Sequence, residues 1–293
     1  MCQASEPHVA MRVLVTGGNG MVGTAIINTL GDRDEYEFQP LDVTTHPDED
    51  RNTFVASVEE YDAIRPAFDD VDAVIHLAVY APGIRDENWE RIRSVNVNGT
   101  RNVLRAAEDA EVDQVVFAST NHVVGMYEEE HAPELYELDH DLLLDHTDPV
   151  RPDSTYGVSK LFGENDGRFF VENMEYPKQF YAIRICSLRT PEYDHPYGDA
   201  EQGVDEGRWE RGSDDYERMV KRMKAMWFSR RDCAHLVDCC LQDEDVEFDV
   251  FSGVSDNDRR WFDIEHAREV VGYDPQDNGE TMTTPPKSTR DEH

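Results

Sequence analysis

Lysine is scarce in this chain: of 28 basic residues only five are lysines, at positions 160, 178, 221, 224 and 287, and the rest are arginines. Positive charge is short altogether, because 63 aspartates and glutamates leave a formal net charge of −35 at pH 7, spread along the whole length. That balance argues against nucleic-acid or anionic-membrane partners, since either would be repelled by this surface. Many hydrated carboxylates with few lysines point instead to a halophilic protein of a high-salt cytoplasm, where bulk salt screens the mutual repulsion.

Cysteine is also sparse. The five present, Cys2, Cys186, Cys233, Cys239 and Cys240, are odd in number and lack the paired spacing of a zinc site or a secreted disulfide framework. They read as reduced, mostly buried thiols. No run approaches the roughly 18 continuous apolar residues that span a bilayer, and no signal-peptide pattern opens the chain. A cytoplasmic protein is the expectation, with residues 1–10 as an aperiodic, flexible extension.

What is present is enough for one good core: 293 residues with 39% apolar content suit a single domain carrying a small substrate lobe. Met11–Thr16 is a short β-branched run that ends in glycines, and Met21–Leu30 then carries helical periodicity as far as Gly31. Tyr36–Leu41, Ala73–Leu77, Gln114–Ala118, Phe180–Ile185 and Glu247–Phe251 read as further strands. Between and after them, Tyr61–Phe68, Asn88–Ala110, Thr155–Asn173, Tyr216–Trp227, Arg230–Leu241 and Asp263–Val271 read as helices. Alternation of this kind predicts an α/β fold: a doubly wound parallel sheet with ligands at the carboxyl ends of its strands. The pattern breaks between Arg189 and Asp215, where Pro, Gly, Asp and Glu dominate, and so long an irregular stretch reads as a lid or insertion.

Gly17, Gly20 and Gly23 form T-G-x-x-G-x-x-G directly after a strand and at the start of a helix. A turn without side chains lets the backbone approach a pyrophosphate, and the helix N-terminus offers amide donors and a favourable dipole. Asp42, 25 residues after Gly17 at the end of the second strand, stands where an acid accepts hydrogen bonds from the adenosine ribose. Its charge would repel a 2′-phosphate, so the cofactor expected is NAD rather than NADP.

Tyr156 and Lys160 are four residues apart in a helical segment and share one face. An ammonium near a phenol stabilises the phenolate, so Tyr156 is expected to have a lowered pKa and to take a hydroxyl proton while a hydride leaves. A hydroxyl from Ser119 or Thr120, at the end of the preceding strand, could hold the reacting oxygen.

Taken together, TGGNGMVG at 16–23, HLA at 76–78, NVNGT at 96–100, AST at 118–120 and YGVSK at 156–160 resemble the extended short-chain dehydrogenase/reductase family, also called the NAD-dependent epimerase/dehydratase family. The resemblance covers about residues 11–275. It implies a Rossmann-type NAD-binding core over 11–188 and a substrate lobe with a lid-like insertion over 189–275 that completes the same domain, while the polar stretch 276–293 reads as a flexible tail. It implies that Thr120, Tyr156 and Lys160 are the catalytic trio. Asn19, Met21 and Val22 in the glycine turn, with Leu77, Ala78, Asn96, Lys160 and Arg184, are implied cofactor neighbours. Ser57 departs from the pattern, because many members place an aspartate there against the adenine.

A narrower similarity, to uronate dehydrogenases and haloarchaeal NAD-dependent glucose-6-phosphate dehydrogenases, rests on STNHVVG at 119–125, RICS at 184–187, AMWFSRRD at 225–232 and GVSDNDRR at 253–260. It implies that Thr120, Asn121 and His122 bind sugar hydroxyls and that Ser187 and Arg222 bind a substrate carboxylate or phosphate, with Lys221 or Arg218 as alternatives to Arg222. An Arg fork suits such an anion. The implied activity is oxidation of C1 of an anionic sugar to its lactone. A nucleotide-sugar epimerase or dehydratase with tightly bound NAD is the second reading, and an NAD-binding sensor without turnover the third. No metal is expected, because His131, His140 and His146 sit irregularly in an acidic stretch, and a homo-oligomer stays open.

Overall fold

Alternate residues of the central strands enter opposite cores, as the period of two requires. From β1 (Met11–Thr16), Val13 and Val15 pack on one face and Leu14 on the other. Val116 of β5 (Gln114–Thr120) and Tyr181 and Ile183 of β6 (Gln179–Ile185) join the first face, while Val115, Phe117, Phe180 and Ala182 join the second. The computed structural model describes residues 10–48, 51–81 and 88–286. Among them, β2 (Tyr36–Asp42), β3 (Phe54–Val55), β4 (Ala73–His76) and β7 (Phe248–Gly253) complete a seven-stranded, all-parallel sheet of order β3-β2-β1-β4-β5-β6-β7. The expected doubly wound fold is present.

Helices cover both faces. α1 (Met21–Leu30) follows β1, and the short α2 (Tyr61–Ile64) continues as a tighter 3₁₀ turn over Arg65–Phe68, where Pro66 lacks an N–H to carry the α pattern on. α3 (Trp89–Ile92) runs on into α4 (Gly99–Asp109) through a π segment at Arg93–Asn98, so the helical stretch expected over 88–110 is present with a wider turn in its middle. α5 (Met126–His131) and α6 (Thr155–Asn173) lie between β5 and β6. After β6 come α7 (Gly198–Asp205), α8 (Asp214–Met226) and α9 (Arg230–Gln242), and α10 (Glu265–Val271) follows β7.

Two departures from the sequence reading bear on the site. The stretch 189–215 contains α7, and Tyr197, Ala200, Tyr216 and Val220 give it a small core of its own with α8. Its helix is masked in the sequence by Gly198, Gly203 and three acids, Asp199, Glu201 and Asp205. The C-terminal tail expected from 276 onward is tied down in its first part: Gln276 and Asp277 donate backbone N–H bonds to Asp232, and Gly279 donates one to Asn257 Oδ1 at 2.8 Å. Residues 1–9 and 287–293 of the two expected tails lie outside the described residues. No described helix is long and apolar enough to cross a membrane.

Candidate active site

The carboxyl ends of β1, β4, β5 and β6 open onto one cavity of about 1040 Å³. The glycine turn forms part of its wall. Gly17 has φ +70°, and a Cβ there would meet Ala78 N at 2.8 Å and Leu77 C at 2.9 Å, so a side chain is excluded both by conformation and by space. Thr16 fixes that close approach: its hydroxyl accepts the Ala78 N–H at 3.3 Å and lies 2.7 Å from His76 Nδ1. Burial and the charge of Lys160 hold the His76 imidazole down to about 3, which keeps it neutral behind the turn. Gly20 caps α1, so the first amides of that helix face the cavity mouth, where Met21 and Val22 also stand.

A second, smaller cavity of about 310 Å³ adjoins the turn and is lined by Asp42, Ser57, Ala78 and Leu77. Asp42 accepts the Asn19 N–H at 3.1 Å and the Val43 N–H at 2.8 Å. Asn19 itself holds Thr44 O, at 2.7 Å, and stands behind the wall. Ser57, the departure noted above, faces this cavity and donates to Glu59, which also accepts from Ser94 and Arg91. The cradle therefore fits a dinucleotide: side-chain-free turn, helix N-terminus, and an acid at the ribose position.

Deep in the main cavity α6 carries Tyr156 and Lys160. Ser154 caps this helix by accepting the Gly157 N–H at 3.1 Å. The helix lies tight on the sheet because Gly163 and Gly167 take the Phe117 and Phe180 rings, each with a ring carbon 2.3 Å from where a Cβ would stand. Lys160 is buried with its ammonium 4.7 Å from the Phe117 ring centre, and burial lowers its pKa to about 7. For Tyr156 the direction expected from the sequence is reversed. Burial raises the phenol to about 12, and the hydrogen bond with Thr120 pulls it down only in part. Taking the phenolate out of water disfavours its charged form, and that cost outweighs the Thr120 hydrogen bond. Of the two candidate hydroxyls, Ser119 donates to Glu164 Oε1 at 2.6 Å, which leaves Thr120 as the partner of Tyr156.

Asn121, His122 and Ser187 line the same cavity. His122 packs edge-on to the Tyr156 ring at 6.0 Å, and its Nδ1 lies 2.7 Å from Asp153 Oδ2. Arg222 and Arg218 of α8 and Arg189 also line this cavity. Arg222 holds Glu128 through Nε, at 2.5 Å, and Nη2, at 3.1 Å. Lys221, the other alternative to Arg222, turns away to Glu137.

Two residues expected beside the cofactor stand behind the walls instead. Asn96 is buried in the π turn, accepting from Tyr80 N at 2.8 Å and donating to Ser159 Oγ at 3.0 Å. Arg184 is buried against Glu164 through two bonds of 2.9 Å. Sequence reasoning also missed Glu128, Asp153, Asp199 and Arg189. The first three were lost among many acids, and the only signal for Arg189 was its place two residues beyond Ser187.

The histidine cluster does not assemble as a metal centre from His131, His140 and His146. His140 bonds Arg259 O, and His146 stacks on His266, which bonds Asp249. His146, Asp249 and His266 do offer ligand atoms within 4.8 Å of one another. With the two rings 3.7 Å apart and 14° from parallel, however, their in-plane lone pairs run side by side rather than converging.

Comparison with known proteins agrees with this architecture. The model of the NAD dependent epimerase/dehydratase family matches residues 13–209. NAD-dependent glucose-6-phosphate dehydrogenase of Haloferax volcanii is 36% identical over 277 residues, covering 92% of this chain and 95% of the relative. L-arabinose 1-dehydrogenase (NAD(P)(+)) of the same organism is 33% identical over 278 residues, covering 92% of this chain and 98% of the relative. Among solved structures, glucuronic acid dehydrogenase from Chromohalobacter salexigens superposes with a TM-score of 0.72 at 26% identity, over 93% of this chain and 87% of that one.

Proposed function

The chain belongs to the NAD dependent epimerase/dehydratase family, and from that premise we propose that it is an NAD-dependent dehydrogenase oxidising C1 of an anionic sugar to its lactone. The observation that carries the reading is that one cavity is lined by the glycine turn, by Tyr156 and Thr120, and by Arg222. The relatives with this architecture are named as dehydrogenases of glucose 6-phosphate, arabinose and glucuronic acid.

Bound NAD supplies the acceptor for the C1 hydride. Gly17, Gly20, Gly23 and the start of α1 would seat its pyrophosphate, Asp42 its adenosine ribose and Lys160 its nicotinamide ribose. Tyr156 takes the proton of the anomeric hydroxyl as C1 is oxidised, and Thr120 holds the same oxygen through its hydroxyl. Asn121 and His122 orient the ring hydroxyls. Ser187 and Arg222 face the distal anionic group, which fixes which end of the sugar enters first. The acidic, lysine-poor surface suits this work in a cytoplasm of molar salt.

The test is NADH absorbance in molar KCl with glucuronate, galacturonate, glucose 6-phosphate and neutral aldoses. One NADH per anionic sugar consumed supports the assignment. Conversion of a nucleotide sugar with no net NADH would replace it with an epimerase.

A further inference from the structure

The Arg222 fork that lines this cavity is already filled by the protein. Arg222 presents its fork to Glu128, with Nε to Oε1 at 2.5 Å and Nη2 to Oε2 at 3.1 Å, the two-point geometry in which guanidinium binds a substrate carboxylate. Both side chains are largely buried, at 20% and 15% exposure, so the pair is only weakly screened by solvent. Tyr136, which also lines the cavity, donates to the same Glu128 oxygen at 2.8 Å. The remaining nitrogen of Arg222, Nη1, lies 3.9 Å from Asp199, and that acid already grips Arg189 at two points. Arg222 and Arg189 therefore each have an internal carboxylate as partner, while Arg218, the third arginine of the cavity, makes an exposed pair with Asp215 at 2.7 Å.

An incoming carboxylate or phosphate cannot use the Arg222 fork while Glu128 occupies it. If it binds beside Glu128 instead, two negative charges share a partly desolvated site, which is costly. Resting on the sugar-dehydrogenase reading given above, we propose that Glu128 is a specificity-determining residue, an internal competitor that the anionic group of the substrate must displace from Arg222. Binding then becomes an exchange of one anion for another, and Glu128 sets how strongly the cavity favours charged over neutral sugars. Glu128 keeps its hydrogen bond from Tyr136 when it leaves the fork, so the displaced carboxylate is not abandoned without a donor. A dianionic phosphate gains more from the exchange than a monoanionic carboxylate, because the group displaced carries a single charge.

The opposing account makes Glu128 a prop that merely aims Arg222, and the two accounts predict opposite signs. The experiment is calorimetric titration of the NADH-loaded full chain, in molar KCl, with inorganic phosphate, glucuronate and glucose. In Glu128→Gln, phosphate and glucuronate are expected to bind about tenfold tighter, with glucose changed far less. Glu128→Asp keeps the charge but shortens its reach by one methylene, so it is expected to move the same way by a smaller factor, and it serves if the glutamine variant does not fold. Unchanged or weaker anion binding in whichever variant folds overturns the proposal. These isotherms need no turnover, so they stand apart from the NADH assay, whose failure would strike the parent reading alone.

Discussion

His122 Nδ1 lies 2.7 Å from Asp153 Oδ2, and Asp153 is itself bonded by the Ser154 hydroxyl at 2.8 Å. Burial works against the Asp153 charge, but His122 and Ser154 outweigh it and hold the carboxyl below its ordinary range. An ionised acceptor places the His122 proton on Nδ1 and leaves Nε2 as an acceptor for a sugar hydroxyl. Asp153→Asn should reverse that tautomer, raising KM for the sugar about tenfold with a smaller fall in kcat. Steady-state kinetics at fixed saturating NAD separate the two parameters. Because the Asp153 pKa is depressed, the contact is present above the ordinary carboxylate range and is lost only as pH falls through the lowered value.

Tyr156 works against its own burial. With the phenol raised to about 12, the base form is the minor one at neutral pH, so kcat/KM for sugar oxidation should climb as pH rises toward the alkaline range. Tyr156→Phe should bind NAD as the parent does while losing about 10²–10⁴ in turnover. Calorimetry for the cofactor and a pH series of initial rates check both halves. A Phe variant that keeps the parent's rate removes Tyr156 from proton transfer.

Asp42 should act as a filter for cofactor charge. Its carboxylate lines the smaller cavity and is anchored by the Asn19 and Val43 amides. Asp42→Ala removes the repulsion toward a 2′-phosphate, so the preference for NAD over NADP should fall about tenfold or more. Paired kcat/KM measurements with the two cofactors report the change directly.

Behind the site, Glu164 joins Arg184 of β6 to Ser119 of β5, and both ionic partners are buried. Glu164→Ala strands the Arg184 charge in the interior and should cost about 3–5 kcal/mol of stability. Denaturant or thermal unfolding in constant salt gives the value. A loss no larger than that of a surface substitution would mean that water or another acid takes over the pairing.

Much of this molecule was legible because local chemistry dictates it. The strand–glycine–helix unit at 11–30 could be read directly, since only a side-chain-free turn allows Gly17 to meet Ala78 so closely. Spacing alone placed Tyr156 and Lys160 on one helix face, and the structure does put both on one cavity. Interactions across the chain were not legible. β3 is two residues long and exists through its pairing with β2, and α7 owes its place to packing against α8. The positions of Asn96 and Arg184 behind the walls depend on Ser159 and Glu164, 63 and 20 residues distant. The Tyr156 pKa lies above its ordinary value, opposite to what the Lys160 spacing predicts, because desolvation is a property of the assembled cavity and leaves no trace in sequence spacing.

The most direct measurement follows the hydrogen on C1. With a C1-deuterated glucuronate or glucose 6-phosphate and unlabelled NAD in molar KCl, the account predicts one deuterium in the reduced cofactor for each sugar consumed, together with lactone or its hydrolysed acid. Deuterium retained on the sugar, with the cofactor returned oxidised and unlabelled, would contradict oxidation at C1.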